Sequence, residues 1–266
     1  MLGSVEKLHE AFEFFEKMGQ EPSETGRFRI AKGAETRLGK DMANYIAVAM
    51  KLGMPLTHNV VLVPGIRDDG DWFNDLRREL ETCSHIKVIN GGFSFFQSLK
   101  LLLPGARRKR IEKVAATLRS ARGNNQVVSV ICHSFGSYCV TRAILENTDI
   151  TVFRLAICGS IVPNEFAWDR VVGFIPSGRI INDCGNFDAW PLVLKAISRA
   201  FGDTGRVGFG KEPVRDRWHD VKHNGFFGGE FIRTFWLPFF KSGVIVPSDV
   251  SAKPPGWMAK IVLWRW

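Results

Sequence analysis

Six short runs of apolar and β-branched residues recur along the chain: NVVLVPG from position 59, HIKVING from 85, QVVSVICHS from 126, VFRLAICGS from 152, GRIINDCG from 178 and VRDRWHDV from 214. Between them, residues 71–81, 108–122, 134–147 and 189–201 carry helical periodicity. Strands that are apolar throughout, rather than on alternate positions, must be buried on both faces, and helical connections supply the cover. The pattern therefore predicts an α/β fold with a mainly parallel sheet and helices on both faces. No internal repeat and no linker interrupts residues 58–236, so a single core is expected over residues 56–240. Val5, Leu8, Phe12, Phe15 and Met18 step by threes and fours, which predicts a helical N-terminal extension over residues 1–55, with a second helix near 35–52. Residues 241–266 form a tail rich in proline and tryptophan.

Composition narrows the class. With 45% hydrophobic and 24% charged residues, the chain can build a sizeable core, and disorder and collagen-like repeats are excluded. The five cysteines are widely spaced, with neither a CxxC pair nor a Cys/His spacing suited to zinc. Four of them, Cys132, Cys139, Cys158 and Cys184, lie in apolar segments, where a thiol behaves as a small hydrophobe. A reducing, cytoplasmic setting is the expectation. The N-terminus is charged throughout, unlike a signal peptide, and no stretch approaches the roughly 18 apolar residues of a membrane span.

Chemistry concentrates where the strand QVVSVI runs into Cys132-His133-Ser134-Phe135-Gly136-Ser137 and then a helix. A serine at the apex of a sharp strand-to-helix turn, between small residues, is the nucleophile-elbow pattern. The turn strains Ser134 and brings strand and helix close, so the positions two before and two after it must be small. Gly136 meets that need; Cys132 stands where glycine is usual. His133 is expected to pack or support the loop and to point away from the partner of the serine hydroxyl.

With these residues the sequence resembles the α/β-hydrolase superfamily over about residues 59–227. The resemblance implies the superfamily's sheet, a serine nucleophile at Ser134, and an acid and a histidine following in that order. Asp188, in the loop after the strand RIIND, is the expected acid. Asp183 is its competitor, but the pleat fixes its direction, whereas a loop residue can turn toward a histidine. His223, beyond the last strand, is the expected general base, and His219 a structural neighbour. The backbone N–H groups of Phe135 and Ile66 are the expected oxyanion donors. Only residues 161–178 lie between the fourth and fifth strands, which implies little or no cap domain. Neither a cofactor nor a metal is implied.

The expected activity is hydrolysis of carboxylic esters or thioesters, with acyl or lipid-like substrates, through a Ser-His-Asp triad and an acyl-enzyme. The alternative is a binding or regulatory module that keeps the fold without turnover. Thirty-six Lys and Arg against 27 Asp and Glu give a net charge of +9, which favours anionic surfaces. Peripheral contact with an anionic membrane is one expectation, with Trp257, Trp264 and Trp266 in the tail as candidates for the interface. Nucleic acid is disfavoured, because the basic run Arg107-Arg108-Lys109-Arg110 has no interleaved aromatics and no surrounding module. The glycine-rich segment 202–210 lacks the flanks of a phosphate-binding loop and is expected to be a lid or a plain turn.

Overall fold

The computed structural model describes residues 21–22, 28–29, 57–65, 71–84, 86–91, 104–122, 126–175 and 179–254. Most of the N-terminal extension, and the tail tryptophans Trp257, Trp264 and Trp266, lie outside the described residues.

Six strands form one parallel sheet: β1 (Thr57–Val63), β2 (Ile86–Asn90), β3 (Gln126–His133), β4 (Leu155–Cys158), β5 (Ile180–Gly185) and β6 (Val214–His219), in the order β2-β1-β3-β4-β5-β6. Among the described residues the α-helices of eight residues or more are α1 (Asp71–Leu80), α2 (Pro104–Ala121), α3 (Phe135–Glu146) and α4 (Trp190–Ile197). The strands and helices fall where the apolar runs and helical periodicity placed them. A separate two-residue antiparallel ladder pairs Glu21–Pro22 with Phe28–Arg29.

Successive side chains of a strand face opposite ways; both sets are largely apolar in β1, β3 and β4, whereas the edge strands expose Lys87 and Arg215. Val61, Val63, Val128, Val130 and Cys132 face a core completed by Ile111, Val114 and Leu118 of α2 and Val140 and Ile144 of α3. Val60, Leu62 and Ile131 face the other way, onto Leu76 and Leu80 of α1 and the C-terminal residues Ile232, Trp236, Phe239 and Phe240. Each such aliphatic side chain contributes about 1.5–3 kcal/mol by leaving water, so the double-sided pattern commits the strands to the middle of the molecule. Between β4 and β5, Phe166, Trp168, Val171 and Ile175 are buried in the first of these cores. The described part of that connection is thus core rather than a cap.

The chain runs from β1 outward to β2, then crosses back to β3 on the other side of β1. At such a reversal the loops at the carboxyl ends diverge and leave a crevice. The sequence places Pro64-Gly65 at the end of β1 and Ser134 at the end of β3, side by side at that edge.

Past β6 the chain turns helical from Gly229 to Ser242, through a π-helical stretch at Ile232–Trp236. Pro238 follows within that run. A proline donates no N–H to the preceding turn, and the wider π turn just before it accommodates the gap. Gly243, at φ 75°, ends the helix. Residues 243–254 then run as an extended strap beside β6, with an antiparallel bridge from Val250 to Trp218. The strap thereby meets the edge strand at Trp218, where the Ser248 hydroxyl also donates to Trp218 O.

Candidate active site

Ser134 is the one non-glycine residue with positive φ among the described residues, at φ 52° and ψ −121°. Such backbone strain costs on the order of 1–3 kcal/mol and persists only where neighbours enforce it. They do: the Ser134 N–H donates to Cys158 O at 3.0 Å, and the Ser137 hydroxyl donates to Ser134 O at 2.6 Å. The small-residue requirement has a direct cause. A Cβ on Gly136 would lie 2.2 Å from Val63 O, and one on Gly65 would lie 2.7 Å from the Ser134 Cβ. Cys132 is tolerated because its side chain turns away into the core beside Val63 and Ile157.

Phe135 opens α3, so its backbone N–H has no acceptor within the helix and remains available to an oxyanion. Ile66, the expected second donor, lies outside the described residues.

Asp188 and His223 meet. His223 Nδ1 lies 2.8 Å from Asp188 Oδ2, and the other carboxylate oxygen accepts the Trp190 backbone N–H at 3.0 Å. An ionised carboxylate only accepts, so Nδ1 carries the proton and Nε2 is the basic nitrogen of the neutral ring. Asp188 is 1% exposed, and Gly185 makes room for it: a Cβ there would fall 2.9 Å from the Asp188 Cβ.

Asp183 has a different occupation. It accepts two hydrogen bonds from Arg217, at 2.8 and 2.9 Å, and lies 2.8 Å from His219 Nε2 and 2.9 Å from Trp236 Nε1. Burial alone would push this carboxyl up, but Arg217 and His219 outweigh it and hold it at about 2. Both Asp183 and His219 are buried and fully engaged in binding β5 to β6 and to the C-terminal helix.

Two expectations are corrected. His133 does not point away from the serine's partner: its ring centroid lies 4.4 Å from that of His223, and its Nε2 lies 3.0 Å from His223 O. The turn reversal at Ser134 carries the preceding side chain toward the loop after β6, which the sequence alone does not reveal. Segment 202–210 is neither a lid nor a plain turn. Residues 204–207 form a helical turn in which Thr204, Gly205 and Arg206 are buried, and a Cβ on Gly205 would lie 2.0 Å from Ser160 N. Gly202 and Gly205 serve close packing against residues 159–163.

Gly159 is a site residue the sequence reading missed. At φ 51° it ends β4, and a Cβ would lie 3.1 Å from His223 and 3.2 Å from Asp188. Its signal was the glycine closing the run LAICG. Phe187 and Trp190, flanking Asp188, are 55% and 50% exposed, and the Trp190 ring lies 6.4 Å from that of His223. Among the described residues no group of three or more His, Cys, Asp or Glu side chains could hold a metal, and no helix is long and apolar enough to cross a membrane.

No family model matches the chain, and no curated protein matches it. Solved structures do resemble it at low identity. A protein of Pectobacterium atrosepticum assigned as a YdeN-like hydrolase is 15% identical, with a TM-score of 0.41 over 70% of this chain and 91% of that one. A variant of PytH is 11% identical, with a TM-score of 0.43 over 70% and 98%. An S-formylglutathione hydrolase from Agrobacterium tumefaciens is 12% identical, with a TM-score of 0.34 over 70% and 81%. In its own strand order and its strained serine turn after β3, the chain has the architecture of the α/β-hydrolase fold.

Proposed function

We propose that this protein is a serine hydrolase acting on carboxylic esters or thioesters, with Ser134 as nucleophile, His223 as general base and Asp188 as the acid that orients it. The observation that carries this reading is the His223–Asp188 hydrogen bond of 2.8 Å, which leaves Nε2 for the proton of a serine held in a strained turn. The hydroxyl oxygen attacks the acyl carbon as its proton passes to His223 Nε2, and Asp188 stabilises the imidazolium. The tetrahedral oxyanion faces the Phe135 N–H, a donor of a kind whose loss costs about 2.7–4 kcal/mol in other acyl-transfer sites. His223 returns the proton to the leaving alkoxide or thiolate, and water then cleaves the acyl-enzyme by the same route. Exposed Phe187 and Trp190 beside His223 favour an acyl or lipid-like substrate, and the chain's positive charge favours approach to an anionic membrane surface.

The second reading is a binding module that keeps the fold without turnover. One observation favours it, Cys132 in the place where the elbow pattern usually has glycine. Pre-steady-state hydrolysis of p-nitrophenyl esters separates the two. A burst stoichiometric with enzyme, abolished by Ser134→Ala, is expected; no turnover above the buffer rate would establish the binding module.

A further inference from the structure

Four polar groups of the strap and its surroundings converge on Asn186, two residues before the acid of the pair. Its side-chain amide donates to Asp220 Oδ1 at 2.9 Å and to Ser251 O at 3.0 Å. Its carbonyl oxygen accepts the Lys253 N–H at 2.9 Å and Arg206 at 3.3 Å. Both donors and both lone pairs of the amide are thus used, at 2% exposure. Arg206 is 5% exposed and reaches the strap again through Pro254 O at 3.3 Å. It is held down by burial and supported by the negative charge of Asp188 nearby. The next residue is tied as well: the Lys253 ammonium sits 5.3 Å from the Phe187 ring, and Lys253 pairs with Asp220. The Asn186 and Phe187 backbone N–H groups bond His219 O and Val221 O, the backbone that leads from β6 to His223.

The acid loop is therefore clamped from two sides. One is the strand and loop that deliver the base; the other is a segment more than 60 residues downstream of the acid, and Asn186 and Arg206 are the joint between them. We propose that residues 251–254, acting through Asn186 and Arg206, position Asp188 against His223, so that the C-terminal strap is a working part of the site. The inference builds on the hydrolase reading, with Asn186 and Arg206 as positioning residues that touch neither substrate nor reacting atoms. A joint whose every hydrogen-bonding group is engaged, on both sides, holds the acid loop in a single place, and releasing one side lets the carboxylate drift from the imidazole.

Three changes test this: Asn186→Ala, Arg206→Met, and a chain ending at Val250, which keeps the bridge to Trp218 but removes the Ser251, Lys253 and Pro254 contacts. With p-nitrophenyl acetate, kcat should fall by about 10²-fold, the effect of an ångström of misplacement, with KM within about twofold. In Asn186→Ala and in the shortened chain the acid limb of kcat/KM should move to lower pH, because an imidazolium that loses its carboxylate gives up its proton more readily. Arg206→Lys, whose ammonium can still donate to Asn186 Oδ1, should recover most of the kcat that Arg206→Met loses. The low-field proton resonance of His223 Nδ1–H should weaken or shift upfield in all three variants, and this readout needs no turnover. Folded variants that keep kcat, the acid limb and the resonance would overturn the positioning role and leave the hydrolase reading intact. If Asn186→Ala fails to fold, the shortened chain decides by the same criteria. If the wild-type chain hydrolyses nothing, the hydrolase reading fails and the resonance alone decides the coupling.

Discussion

At the scale of single residues, the site divides two Asp–His pairs between different tasks. Asp188 serves one histidine and one backbone N–H; Asp183 serves an arginine, a histidine and a tryptophan. Asp188→Asn should lower kcat by about 10⁴-fold, as expected for loss of an orienting acid, with little change in melting temperature. Asp183→Asn should do the reverse, costing about 3–5 kcal/mol by leaving Arg217 buried beside a neutral partner. Activity lost by the second variant while the first stays active and folded would reverse the assignment. The pH dependence follows in sign. The carboxyl of Asp183 is held at about 2, below its unfolded value, so its stabilisation is present above about pH 4 and fades as pH falls toward 2. The stability gap between wild type and Asp183→Asn in urea titrations should accordingly narrow from pH 5 to pH 2. Thiols give a third check. Burial pushes Cys139 up to about 12, and Cys132 and Cys184 well above the ordinary thiol value. Brief iodoacetamide treatment of the native protein should therefore alkylate half-buried Cys83 first, as read by peptide mass mapping; early modification of Cys132 or Cys184 would mean that the core opens readily. The sharp turn at Ser134 and the meeting of Asp188 with His223 were legible because the strand-to-helix junction and the loops that end the last strands can be read from the apolar pattern. The approach of His133 to His223 and the crowding around Gly159 were not, because both depend on how neighbouring loops meet in space.

At the scale of elements, the double-sided apolar runs made the sheet legible. Val60 and Val61 face opposite cores, and both are fully buried, so no other placement of β1 satisfies both. The C-terminal region was less legible, since prolines and aromatics say that a segment packs but not on what. Trp236 is fully buried, lies among Phe227, Phe231 and the Asp183 carboxylate, and fixes the C-terminal helix to the sheet. Trp236→Ala should cost about 3–5 kcal/mol in urea denaturation. A loss below about 1 kcal/mol would mean that the helix is held by the strap rather than by its own packing. Segment 202–210 teaches the same lesson in reverse. Glycines in sequence suggested looseness, whereas Gly202 and Gly205 are small because Val162 O and Ser160 N lie where their Cβ atoms would be, at 2.4 and 2.0 Å.

At the scale of the whole molecule, a parallel sheet with a reversal between β1 and β3 presents a crevice at its carboxyl edge. The strained serine, the histidine–aspartate pair and the exposed Phe187 and Trp190 all belong to the loops and helix starts along that edge. The net charge of +9 bears on encounter rather than on chemistry, with about 1 kcal/mol for each basic residue that reaches an acidic lipid surface. Sedimentation with phosphatidylserine vesicles should exceed that with phosphatidylcholine and fall as salt rises; equal partition at all salt concentrations would remove the membrane from the account. The central claim is that Ser134 is an activated nucleophile, and its most direct test is reaction with a fluorophosphonate followed by mass mapping of the adduct. The account predicts a single phosphonylated serine, Ser134, in the wild-type chain and strongly slowed labelling in His223→Ala. An unlabelled Ser134, or labelling that is indifferent to His223, would contradict it.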